Sequence, residues 1–242
     1  MRPFWNWARD SDTDARVLYL YGVIADESWF QDEITPAAFR AELYAGGGDI
    51  TVYINSPGGC VFAASQIYTM LIEYPHNVTV KIDGIAASAA SVIAMAGTEV
   101  YMAPTAMLMV HNPLSCVIGD VAEMHKAIAM LEEVKDSIIT AYAIKTDLPI
   151  EELSRMMDEE TWISANRAVA LGFADGLLLR EGDTRNKGRP VAADVLHGFA
   201  YSRSAVTNSL LDKLKSKPPD RPLTEQPKTP IADLDKRLAL LV

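Results

Sequence analysis

Between residues 15 and 111 short apolar runs alternate with stretches of helical composition, and this alternation restricts the fold more than any other feature. ARVLYLYGVIA, DITVYIN, NVTVKIDG, EVYMA and AMLMVHN are rich in β-branched, aromatic and other apolar residues and short enough for buried strands. Among them, TPAAFRAELYA, VFAASQIYTMLIEY and SAASVIAMA read as helices, the first with Thr35 as N-cap and Pro36 at its first position. GDVAEMHKAIAMLEEVKDSIITAYAIKT then predicts one long helix capped by Asp120. Strands and helices in this order imply an α/β fold with parallel strand pairing.

The 242 residues, 49% of them hydrophobic, suffice for a real core. Charge divides the chain unevenly. Residues 185–242 hold 11 basic and 6 acidic side chains, the first 184 hold 11 and 26, and the whole carries −10. Five prolines between Pro218 and Pro230 and a shortage of aromatics mark 185–242 as a basic extension, with a short helix at IADLDKRLALLV as one reading. Residues 1–15 form an N-terminal segment, and 16–184 the expected folded domain. No long basic run suggests nucleic acid as a partner. The N-terminus lacks the apolar core of a secretory signal, and Gly84–Thr98 is too short and too small-residue-rich to span a bilayer. Cys60 and Cys116 are far apart and fit no zinc spacing, so no metal is expected. A reducing, cytoplasmic setting fits this cysteine usage.

The chemistry centres on GIAASAASVIAMAG. Ser88 stands where a strand gives way to a helix. A serine there commonly caps the helix, and it can also be a nucleophile held where the helix dipole and free amides favour negative charge. Ser91, one turn on, is expected to bond back to a helix carbonyl. A serine nucleophile needs a base. Of the four histidines, His197 lies in the extension, His125 on the long helix and His76 in a loop before a strand. His111 ends an apolar strand and enters the turn Asn112-Pro113, a place where α/β folds expose functional side chains. INSPGGCVFAA supplies a glycine pair able to bring backbone amides close to a developing oxyanion, although a plain strand-to-helix turn would look the same.

Taken in order, INSPGG, GIAAS, MLMVHNP and ETWISANRAVALGFAD resemble the ClpP family of self-compartmentalised serine proteases over roughly residues 16–180. The ETW triplet, the tryptophan of DESWF and the added extension are most similar to the ClpP-related head maturation proteases of tailed phages and prophages. The resemblance implies a ClpP/crotonase-like spiral of ββα units with a protruding handle helix. It implies Ser88 as nucleophile, His111 as base, and the amides of Gly58 and Ala89 as oxyanion hole. The family's acid is an aspartate; the corresponding place here holds Glu160, with Asp158 and Glu159 as neighbours. Substrate would add as a strand along Gly58, Gly59, Cys60 and Val61 on one side and Asn112, Pro113 and Leu114 on the other.

The resemblance further implies a homo-oligomeric ring, with two rings stacked through the Gly119–Lys145 helix, whose Met124, Ile128, Leu131 and Ile138 would form the contact face. Protein substrates, no cofactor, no membrane and no nucleic acid go with it. MRPFWNWARDSDTD does not resemble the segment that engages an ATPase in housekeeping ClpP, so an ATPase-independent enzyme acting on scaffold, capsid or portal protein is expected, in the host cytoplasm or inside a procapsid. Four other readings each meet an objection. Against a ClpP paralogue serving an unfoldase stands the departing N-terminus, and against a crotonase-type acyl-CoA enzyme, a class that uses carboxylates, the placement of Ser88 and His111. Against a Ser-Lys peptidase using Lys81 stands that residue's place in a strand before the serine, and against an inactive ring-forming subunit the presence of Ser88, His111 and Glu160 together.

Overall fold

The computed structural model describes residues 4–11, 14–24 and 36–179. The cap expected of Thr35, the tryptophan of DESWF, His197 and the basic extension lie outside the described residues. The elements run β1 (Trp5–Arg9), β2 (Arg16–Ile24), α1 (Pro36–Leu43), β3 (Ile50–Gly59), α2 (Val61–Ile72), β4 (Val78–Ala87) and α3 (Ala89–Ala94). They continue with β5 (Glu99–Met102), β6 (Met107–Val110), α4 (Val121–Thr146), α5 (Ile150–Asp158), β7 (Thr161–Ser164), α6 (Ala165–Ala170) and β8 (Gly176–Leu177). The fold is mixed α/β, as the alternation implies.

The strands form one sheet in the order β1-β2-β3-β4-β5-β8, with β6 paired to β4 and β7 to β6. Pairing from β2 through β5 and on to β8 is parallel, and β1 joins the edge antiparallel to β2. Period-two patterning builds the core. One row across the sheet reads Leu18, Val52, Val80, Val100, and the next reads Leu20, Ile54, Ile82, Met102. All eight are buried, and each is worth roughly 1.5–3 kcal/mol of apolar burial. The intervening residues turn to the other face, where Tyr19 stacks on Tyr53 at 5.2 Å and the Lys81 ammonium lies 5.4 Å above the Tyr53 ring. Lys81 thus packs on the face opposite that core.

Two strands outrun the sequence expectation. DITVYIN was expected to stop at SPGG, yet β3 continues through it to Gly59 because Gly58 and Gly59 pair with Val23 and Ile24, and Ser56 pairs with Ala86. β4 likewise passes Gly84 and reaches Ala87. Tertiary pairing overrides local turn chemistry in both. β4 pairs β5 over Thr79–Ile82 and β6 over Ile85–Ala87, so it changes partner along its length.

α4 begins as expected, with the Asp120 carboxylate accepting from the Glu123 amide at 3.0 Å. It ends at Asp147 in the left-handed conformation, the usual way to stop a helix. Its second half is seated in the core through Ile138, Ile139, Ala141 and Tyr142, whereas Val121, Met124 and Ile128 are exposed. The expected contact face therefore divides: Ile138 is core, and the stripe nearer the N-terminus is open.

Candidate active site

Three chain segments meet at the C-terminal ends of β3, β4 and β6. Parallel pairing of Ile85, Ala86 and Ala87 with Met107, Leu108 and Met109 carries β4 and β6 forward together. Ser88 and His111, each just past its strand, emerge side by side. The Ser88 Oγ and His111 Nε2 are 2.7 Å apart, a hydrogen bond, and both residues are half-buried.

Ser88 is not the ordinary N-cap that its position suggests. Its side chain makes no cap bond, and its backbone lies at φ 56° and ψ −127°, where a residue with a side chain pays strain of about 1–3 kcal/mol. A cap needs extended backbone at that residue; here the sharp strand-to-helix turn instead lifts Oγ out toward His111. The strain persists because both flanking peptides are tied. The Ser88 amide donates to the Met109 carbonyl at 2.9 Å, and the Ser88 carbonyl accepts from the Ser91 amide at 2.9 Å and from the Ser91 hydroxyl at 2.6 Å. Ser91 is fully buried and does bond back to a carbonyl, as expected.

Gly58 stands against this turn at φ +98°. A Cβ there would lie 2.7 Å from the Ala87 carbonyl oxygen and 2.7 Å from the Ser88 Cβ, so only glycine brings backbone this close to the serine. Its amide donates to the Ser56 hydroxyl at 3.1 Å, and that hydroxyl donates to the Gly22 carbonyl at 2.6 Å. An oxyanion at Gly58 would replace or share Ser56 as acceptor. Ala89 is the first residue of α3, and its amide belongs to the set that has no acceptor within the helix. Gly59, at φ +151°, packs on the end of β2, where a Cβ would collide with the Ile24 carbonyl. The Cys60 amide donates to that same carbonyl at 2.9 Å. Val61 already belongs to α2, so the extended edge expected over Gly58–Val61 stops at Cys60. Leu114 is exposed beyond His111.

The three acidic candidates have different employments. Asp158 accepts from Lys135 Nζ at 2.7 Å and from Asn112 Nδ2 at 2.8 Å. Glu159 pairs with Arg155 at 3.1 Å. Glu160, half-buried and left-handed at φ 49°, receives a long bond of 3.4 Å from Trp162 Nε1. β6 and β7 pair antiparallel, Met109 with Trp162 and Val110 with Thr161; continued by one residue, this register would set Glu160 opposite His111. Motif position puts Glu160 at the acid's place, and this register would bring it, rather than Asp158 or Glu159, opposite His111.

Sequence reasoning missed the Asp158 cluster, which ties α4 and α5 to the residue after His111. The hydrogen bond from Lys135, followed by that from Asn112, holds the Asp158 carboxyl below the usual carboxylate range. A depressed folded-state value means stability present at neutral pH and lost as pH falls through the folded value. The carboxylate is more than half exposed, so the effect is small. We expect Asp158→Asn to flatten the decline in Tm as pH drops below about 4, as read by thermal melts from pH 7 to 3. An unchanged slope would mean the cluster contributes nothing.

Among the described residues no group of three or more His, Cys, Asp or Glu could hold a metal ion, and no helix is long and apolar enough to cross a membrane.

Such a strand-to-helix serine, bonded to a histidine and faced by a glycine turn, is the arrangement of a serine hydrolase. Residues 13–181 match the Clp protease family, and the chain belongs to that family of serine peptidases. It is similar to the ATP-dependent Clp protease proteolytic subunit of Porphyromonas gingivalis, 32% identical over 134 residues that make up 54% of this chain and 60% of that one. It is also similar to proteolytic subunit 2 of Thermobifida fusca, 32% over 137 residues, 56% of this chain and 68% of the other. The Leuconostoc citreum proteolytic subunit is 32% identical over 139 residues, 56% and 70%.

Proposed function

We propose that this chain is a serine endopeptidase of the Clp type, with Ser88 as nucleophile, His111 as base and Glu160 as the acid that orients it. The observation that carries this reading is the 2.7 Å bond between Ser88 Oγ and His111 Nε2. Ser88 Oγ attacks a peptide carbonyl while His111 takes its proton. The amides of Gly58 and Ala89 receive the oxyanion. His111 returns the proton to the departing amine, leaving an acyl-serine, and water activated by the same imidazole releases the acid. An extended substrate would lie along Gly58–Cys60 and Asn112–Leu114. Glu160→Gln keeps the shape and removes the charge, and should lower kcat for a short peptide by about 10²–10⁴ with KM little changed. Equal activity would move the acid's role to another residue.

The preferred biological reading is ATPase-independent cleavage of scaffold, capsid or portal protein during phage head maturation, by a homo-oligomeric ring whose two layers meet through α4. It rests on the motif resemblance and on the exposed Val121, Met124 and Ile128 of α4. A second reading is favoured by the relatives: they are named as ATP-dependent proteolytic subunits, so this chain would be the core of a complex with an unfoldase. Degradation of a folded, tagged client separates the two. Cleavage of scaffold or portal protein without ATP supports the first; client loss only with an added unfoldase and ATP supports the second.

A further inference from the structure

The buried hydroxyls behind Ser88 do more than fill space. Ser91 Oγ has one proton, and it is directed to the Ser88 carbonyl at 2.6 Å. The Tyr142 hydroxyl, 2.7 Å from Ser91 Oγ, must therefore be the donor to it. Tyr142 sits on the half of α4 anchored in the core, is 1% exposed, and meets the edge of Phe173 with ring centroids 5.7 Å apart. Burial pushes its hydroxyl well above the ordinary tyrosine range, so it stays a donor throughout the working pH. A chain of two hydrogen bonds thus runs from α4 through α3 to the carbonyl of the strained Ser88.

We infer that Tyr142, acting through Ser91, is a positioning residue that holds the Ser88 backbone in its strained, reactive turn. This rests on the nucleophile reading of Ser88. The physical reason is a contrast of costs. Replacing both members of a buried hydroxyl pair by apolar groups of the same shape is nearly neutral for stability, so a Phe-Ala pair would serve packing equally well. The polar pair supplies a directed bond to the Ser88 carbonyl, and that peptide sets the angle from which Oγ meets His111. Released from the Ser91 hydroxyl, the carbonyl keeps the Ser91 amide at 2.9 Å, and the turn can relax toward an ordinary helix start.

The experiment compares full-length wild type, Tyr142→Phe, Ser91→Ala and the double variant. Three quantities are read: the rate of inactivation by a fluorophosphonate, kcat and KM for a short peptide, and Tm. Each single variant is expected to lose about tenfold in inactivation rate and in kcat, with KM within about twofold, since small misplacement of a reacting group is costly. Ser91→Ala strands the Tyr142 hydroxyl and should lower Tm. The double variant should regain Tm while remaining as slow as Ser91→Ala. A double variant that regains both Tm and rate, or single variants as fast as wild type, would overturn the inference while leaving Ser88 as nucleophile. A folded wild type unreactive at Ser88 would overturn the nucleophile reading, and this inference with it.

Discussion

In a His111→Ala variant, peptide hydrolysis is expected to fall by roughly 10⁴–10⁶, the range found when one member of a serine triad is removed. The geometry explains the size. Ser88 Oγ has His111 Nε2 at 2.7 Å, and without that acceptor the hydroxyl must lose its proton to water. Because members of a triad act together, Ser88→Ala combined with His111→Ala should be no slower than either alone. His111 lies half-buried at a strand end, so circular dichroism should report an intact fold. A loss of less than about tenfold, with the fold intact, would mean that another group serves as base.

Gly58→Ala should cost about 10²–10³ in kcat, comparable with loss of one oxyanion donor. Two effects act together. The residue sits at φ +98°, and the added methyl would stand 2.7 Å from both the Ala87 oxygen and the Ser88 Cβ. Neither neighbour is the free end of a long side chain, so the turn itself must shift, carrying the amide away from the serine. Gly48→Ala is the control: φ is +86° there, but nothing lies within 4 Å of the new methyl. It should cost about 1–2 kcal/mol of stability and leave activity unchanged. If the two variants behaved alike, backbone strain alone would account for the Gly58 effect, and its amide would have no part in catalysis.

The repeating layer was legible because period-two burial leaves a direct trace: Leu18, Leu20, Val52, Ile54, Val80 and Ile82 alternate with polar or aromatic residues turned the other way. The Asp120 cap was legible for the same local reason. β1 was not, since five residues reading WNWAR make a strand only when β2 offers a partner. The extension of β3 through Pro57 and two glycines was equally hidden, because isolated turn chemistry argues against it. Ser88 and His111 could be paired from motif order, but the strain at Ser88 could not be seen. The strained dihedral is held in part by a partner remote in sequence, the Met109 carbonyl, together with the Ser91 hydroxyl three residues on. Tyr142 lies 51 residues from Ser91 and carried no signal beyond its place on the long helix. Motif position favoured Glu160 over Asp158 and Glu159, and the β6–β7 register, continued by one residue, would set Glu160 opposite His111.

The most direct test of an activated serine is fluorophosphonate labelling of the full chain, read by intact mass and peptide mapping. The account predicts a single adduct on the peptide containing Ser88, absent in Ser88→Ala and strongly slowed in His111→Ala. An adduct that survives Ser88→Ala, or a folded wild type that takes up no label at all, would contradict it.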